Sequence, residues 1–262
     1  MYIHPAMYYH CMNWSLKLRI QSLPIILISL TLTNFVHSSD LEFGIHIGRG
    51  DFAMSDIHKL QNSILSDYHD LSIEAKITSS FPDFYYTRID AINRFSEGYA
   101  GGLSWLHMET GGRIHYEDYS GEIASDQILT SNGLGIYSSW TLVGPLKLKV
   151  KFNFPIYALW SKIVLEENTR IYTEKTNSSL ELVAQGFGFD PGISLSQSFY
   201  RFQLSLEGGY HLTLSEPFHL RDNSEAILRL GGTKIGPSWS GFRLGITLGY
   251  KLSRQSDQQK TG

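Results

Sequence analysis

The last part of the chain alternates without a break. Phe242, Leu244, Ile246, Leu248, Tyr250 and Leu252 fall on one side; Gly241, Arg243, Gly245, Thr247, Gly249 and Lys251 fall on the other. Residues 202–214 repeat the pattern, with Phe202, Leu204, Leu206, Tyr210, Leu212 and Leu214 against Gln203, Ser205, Glu207, Gly209, His211 and Thr213. So do residues 146–160, where Leu146, Leu148, Val150, Phe152, Phe154 and Ile156 oppose Lys147, Lys149, Lys151 and Asn153. A period of two is the signature of a strand. The same reading predicts strands at 41–49, 84–95, 99–111, 125–142 and 180–197. Segment 99–111 is mixed, and Gly188 to Gly192, with Pro191, disturb 180–197. The total is eight. Several are long: about 9–11 residues tilted near 45° cross a bilayer, whereas globular strands average about 5–6.

The connections alternate in length. Ser96-Glu97-Gly98, Val143-Gly144-Pro145 and Ser198-Phe199-Tyr200 are short, while 50–83, 112–124, 165–179 and 215–237 are long. Outer-membrane barrels have an even number of antiparallel strands, short periplasmic turns and longer outer loops. The predicted fold is therefore all-β: a closed, antiparallel, up-and-down transmembrane barrel of eight strands, with a short helix in the first long loop. The apolar faces point to lipid and the polar faces into the lumen. Closure follows because an unpaired backbone edge facing lipid costs several kcal/mol per group. Tyr85, Tyr99, Trp140, Trp160, Phe202, Trp239 and Tyr250 lie near strand ends, as interfacial girdles do.

The chain before the first strand reads as an address. Lys17 and Arg19 precede an apolar run from Leu23 to Val36, too short to span a membrane as a helix, and Val36-His37-Ser38 offers small residues at a cleavage site. Residues 1–38 are expected to be a signal peptide, with Met12 a candidate start; 39–252 form the barrel, and 253–262 a polar tail. Cleavage after Ser38 removes Lys17, Arg19 and Cys11, leaving 20 basic and 25 acidic residues and a net charge of −5. The acidic balance argues against a nucleic-acid partner. The loss of Cys11 excludes disulfides, thiol catalysis and cysteine metal sites.

At this level the chain resembles the small eight-stranded outer-membrane barrels of the OmpA/OmpX type, over roughly 41–252. The residues that carry the resemblance lie in the last strand, Arg243-Leu244-Gly245-Ile246-Thr247-Leu248-Gly249-Tyr250. They are similar to the family's C-terminal assembly signal, which implies that Arg243, Gly245, Leu248 and Tyr250 are read by the barrel-assembly machinery. Family members commonly end on the aromatic residue, whereas here Ser253 to Gly262 follow. The partners expected are outer-membrane lipid and that machinery; no cofactor or metal is expected.

Glu42, His46, Arg88, Asp90, Arg94, Lys147, Lys149, Lys151, Glu207, His211 and Arg243 are expected in the lumen. Eight strands leave an interior just wide enough for side chains, so these groups are expected to pair in a packed polar network rather than line a pore. The three lysines are expected to meet carboxylates of neighbouring strands. In 50–83, Met54, Ile57, Leu60, Ile64, Leu65 and Tyr68 recur at helical spacing, with Ser55 as N-cap. The helix could pack on its own loop, rest on the membrane, cover the barrel mouth or dock a partner. Arg49-Gly50-Asp51 and the Asn177-Ser178-Ser179 sequon are read as chance matches.

The expected role is non-catalytic: membrane integrity, surface interaction or limited passage of small solutes. A soluble lipocalin-like carrier is the first alternative, with an apolar lumen and polar exterior. A lipid A-modifying barrel enzyme is the second. Ser104, His107 and Glu109 are close in sequence, but Ser104 falls on the opposite strand face from the other two.

Overall fold

The computed structural model describes residues 40–81, 84–96, 98–119, 121–143 and 148–253. The expected signal peptide, the tail beyond Ser253 and Lys147 lie outside them. The fold is all-β with one helix, and its main sheet is antiparallel. In chain order the elements are β1 (Asp40–Phe52), α1 (Ser55–Asp70), β2 (Lys76–Ser79), β3 (Phe84–Arg94), β4 (Tyr99–Glu117), β5 (Gly121–Val143), β6 (Lys149–Asn153), β7 (Ile156–Ile171), β8 (Glu174–Phe189), β9 (Gly192–Phe199), β10 (Phe202–Ser215), β11 (His219–Leu220), β12 (Asn223–Ile227), β13 (Arg229–Leu230), β14 (Thr233–Lys234) and β15 (Gly241–Ser253).

The pairing runs round a ring. β1 pairs with β3, β3 with β4, and β4 with β5. β5 pairs with β6 and β7, which pair in turn with β9 and β8. β10 pairs with β8, β9 and β15, and β15 returns to β1 from Asp40↔Ser253 to Phe52↔Gly241. Two gaps in the ladder have one cause. Pro155 separates β6 from β7 and Pro191 separates β8 from β9, at adjacent rungs of the two neighbouring strands, and proline has no N–H to donate. The register is kept across both gaps: Asn153 lies opposite Gly192, and Ile156 opposite Phe189.

Strand lies in each predicted stretch, but 112–124 and 165–179 are not the long loops expected. β4 and β5 stay paired to Glu117↔Glu122. β7 and β8 meet at a two-residue turn, Tyr172-Thr173, with Tyr172 at φ 51°. These hairpin ends carry polar residues on their outer face, such as Asp126, Glu166 and Arg170, so the apolar half of the alternation disappears while the backbone pairing continues.

The helix forms over the predicted stretch, but Ser55 is not its N-cap. Met54 holds that position in the left-handed region at φ 40°, and no side chain caps the helix. Met54 is itself buried in the core, and that insertion turns the chain there. Ile57 and Leu60 point into the ring with Phe52, Phe81, Leu106, Leu129, Ile163, Phe218, Ile235 and Trp239. The helix and residues 216–240 thereby cover the end of the ring that carries the long connections. A smaller cluster, Tyr68, Ala75 and Ile114, holds the helix C-terminus against β4.

The outer face of the ring carries the exposed apolar residues. Phe43, Ile45 and Ile47 of β1 are 43–59% exposed, and Leu204 and Leu206 of β10 and Ile246 and Leu248 of β15 are similar. Outside the ring near its short-turn end, Phe95, Tyr99, Trp140, Phe154 and Phe189 follow one another at ring separations of 5.7, 6.0, 5.1 and 6.5 Å.

Candidate functional site: a charged layer inside the ring

Below the apolar cap the interior turns polar. Arg88 of β3 forks onto Glu207 of β10, donating from its two terminal nitrogens at 2.8 and 2.9 Å, and its Nε donates to Asp90 at 3.0 Å. Arg243 of β15 lies 2.6 Å from the same Glu207 carboxylate and donates through Nε to Asp190. Both arginines and all three carboxylates are at least nine-tenths buried. A bidentate guanidinium–carboxylate pair is the strongest arrangement for such charges, because each proton and lone pair finds a partner in a low dielectric.

Neutral groups extend the network, while Asp190 Oδ2 and His211 Nε2 stay without a hydrogen-bond partner among the described residues. Arg243 donates to the Tyr86 hydroxyl at 3.2 Å, which leaves the phenol proton for His46 Nε2, 2.5 Å away. His46 Nδ1 then donates to Thr247 Oγ1 at 2.7 Å. Ser104 donates to Asp90 at 2.6 Å and lies 3.2 Å from the Tyr157 hydroxyl. Tyr137 donates to Asn153 at 2.7 Å, and the Arg88 guanidinium sits 5.5 Å over the Tyr137 ring. His211 Nδ1 stands 3.8 Å from Asp190.

Two glycines make this packing possible. A Cβ on Gly48 would come within 2.5 Å of the Tyr86 ring, and one on Gly245 would collide with His46 Nε2. Gly245 thus has a reason inside the fold, beside its place in the resemblance to an assembly signal. Leu248 faces outward, and Tyr250 packs 5.2 Å from Phe202.

The residues expected in the lumen divide into two groups. His46, Arg88, Asp90, Glu207, His211 and Arg243 meet in the middle layer. Glu42, Arg94 and Lys151 lie nearer the short-turn end, where Arg94 reaches Glu42 at 3.6 Å. Lys149 is half-buried two residues before Lys151. The carboxylate partners expected for these lysines are not found: among the described residues neither Lys149 nor Lys151 makes an ion pair, because the nearby Glu42 is engaged by Arg94.

Sequence reasoning missed Tyr86, Ser104, Tyr137, Tyr157 and Asp190. Strand parity could have found Asp190, since it shares the inward face with Ala184 and Gly188; the proline break hid it. The tyrosines read as apolar, although in a polar interior their hydroxyls are the useful part.

A triad does not assemble at 104–109. Ser104 is buried inside, whereas His107 and Glu109 face out. His107 hydrogen-bonds Asn132 at 2.9 Å, and among the described residues no serine hydroxyl bonds to it. Nor do the described residues contain a group of three or more His, Cys, Asp or Glu side chains that could hold a metal. Above the ring, burial pushes the Tyr68 phenol up, with the Glu167 carboxylate adding to the effect. No protein-family model matches the chain, and a search of curated proteins returns no match.

Proposed function

We propose that the chain is an integral outer-membrane β-barrel whose sealed interior anchors a protruding, non-catalytic interaction surface. Counting β6–β7 and β8–β9 as single lines across their proline gaps, the ring has eight strands. One observation carries the reading: the polarity is inside out. The charges are buried within the ring, and the large apolar side chains are exposed around it. A soluble carrier needs the opposite, an apolar lumen and a polar exterior. An exposed apolar belt larger than a few hundred Å² marks a lipid or protein contact. In β15 the belt runs from Phe242 to Leu252, which at about 3.3 Å per residue and a tilt of about 45° is roughly 23 Å, close to the apolar height of such barrels.

The packed middle layer and the apolar cap under α1 argue against solute passage. The β4–β5 and β7–β8 hairpins continue beyond the apolar belt with polar outer faces, and they are the surface available to a partner. The test is fractionation with gel mobility, boiled against unboiled, followed by planar-bilayer recording. An outer-membrane band that shifts on boiling, with no steady conductance, is the expected result. A soluble protein without a shift would overturn the membrane reading, and a steady conductance would overturn the sealed interior.

A further inference from the structure

Carboxylates outnumber guanidiniums three to two in the middle layer, whereas cations prevail at the short-turn end of the interior. A cavity of about 110 Å³ opens there, lined by Glu42, Arg94, Ser139, Thr141, Lys151 and Lys251 among others. Arg94 and Lys151 share it with one carboxylate, that of Glu42. Glu42 is taken by Arg94 at 3.6 Å, and Lys251 donates to Ser198 at 3.2 Å. Lys151 is 8% exposed, and its side chain makes no hydrogen bond or ion pair among the described residues. Lys149 adds a further positive charge toward the rim.

A buried cation without a partner is costly, and the usual remedy in a folded core is an apolar residue or a paired carboxylate. The carboxylate that shares the cavity with Lys151, Glu42, is already engaged by Arg94. We propose that the missing counter-charge is a bound oxyanion of phosphate or sulfate size. Lys151 and Arg94 would hold it, with the Ser139 and Thr141 hydroxyls as further donors. The size fits: a water occupies about 30 Å³, so the cavity takes about three or four waters or one tetrahedral oxyanion. The site does not depend on what surrounds the ring. The same phosphate chemistry could arrive as the free ion or as a phospholipid headgroup.

The full chain, folded in a nonionic maltoside detergent, is titrated by calorimetry with inorganic phosphate, and separately with dihexanoyl phosphatidylglycerol below its micelle concentration. Saturable phosphate binding that weakens at least tenfold in both Lys151→Met and Arg94→Gln supports the site with the free ion as ligand. Binding of the short lipid alone, lost in the same variants, supports it with the headgroup as ligand. Absence of saturable binding for both probes overturns the proposal, as does binding that both folded variants retain. Arg94→Gln, at the more exposed edge, keeps the test valid if Lys151→Met does not fold.

Discussion

Arg243→Met asks whether the interior is dry. In the wild type, Arg243 touches Asp190, Glu207 and Tyr86, and both of its carboxylate partners are no more than 2% exposed. Methionine fills most of the volume and supplies no charge. Asp90, Asp190 and Glu207 then have Arg88 as their one guanidinium, and Asp190 keeps only the His211 imidazole, at 3.8 Å. In a dry core, removing one partner of a buried pair costs about 3–5 kcal/mol. In a water-filled lumen the same contact is worth about 1 kcal/mol at 4 Å. The two cases are far enough apart to measure. The assay is reversible urea unfolding in lipid vesicles, followed by tryptophan fluorescence and by the fraction of compact band on unboiled gels. The expected loss is about 3–5 kcal/mol, with roughly half recovered when Asp190→Asn removes one stranded carboxylate. A loss below about 1 kcal/mol, or no recovery in the double variant, would mean that water reaches these charges and that the sealed interior is wrong.

Three other changes probe different layers. Ile246→Arg, on the outer face of β15, is expected to cost about 2–4 kcal/mol in vesicles if that face meets lipid, and close to nothing if it meets water. Gly245→Ala drives a methyl into His46 and against the Ile47–Gly48 backbone of β1 and is expected to cost about 1–3 kcal/mol in the same unfolding assay; an unchanged midpoint would mean that His46 and the β1 backbone can both move aside. The Tyr68 phenol, raised by burial, holds its proton in the fold at a pH where an unfolded tyrosine ionises. Its stabilising contribution is therefore complete below about pH 10 and is lost as pH rises through the folded value. Proteolytic protection of α1 should fall above about pH 10 in the wild type and not in Tyr68→Phe, and equal curves would remove Tyr68 from the account.

The strands were legible because alternation is local. Residues 202–214 and 241–252 declare their faces without knowledge of any partner, and the inward list recovered His46, Arg88, Asp90, Glu207, His211 and Arg243. The Gly188–Gly192 disturbance likewise marked the true break at Pro191. Where the outer side of a strand turns polar the signal disappeared, so the upper parts of β4, β5, β7 and β8 read as loops. Higher in the ring the pattern inverts, with Leu106 and Met108 inside and His107 and Glu109 outside, which explains why 99–111 looked mixed.

The sequence by itself determined where the apolar-faced strand segments lie and which face of each is apolar. Only the tertiary structure decided the partners. His46 meets Thr247 across 201 positions and Arg88 meets Glu207 across 119, and no local period encodes such pairs. It also decided that α1 and residues 216–240 fold inward as an apolar cap, and that Lys151 forms no ion pair among the described residues. The physical reason is the ring: its interior is one small shared volume, so each side chain's environment is set by strands distant in sequence.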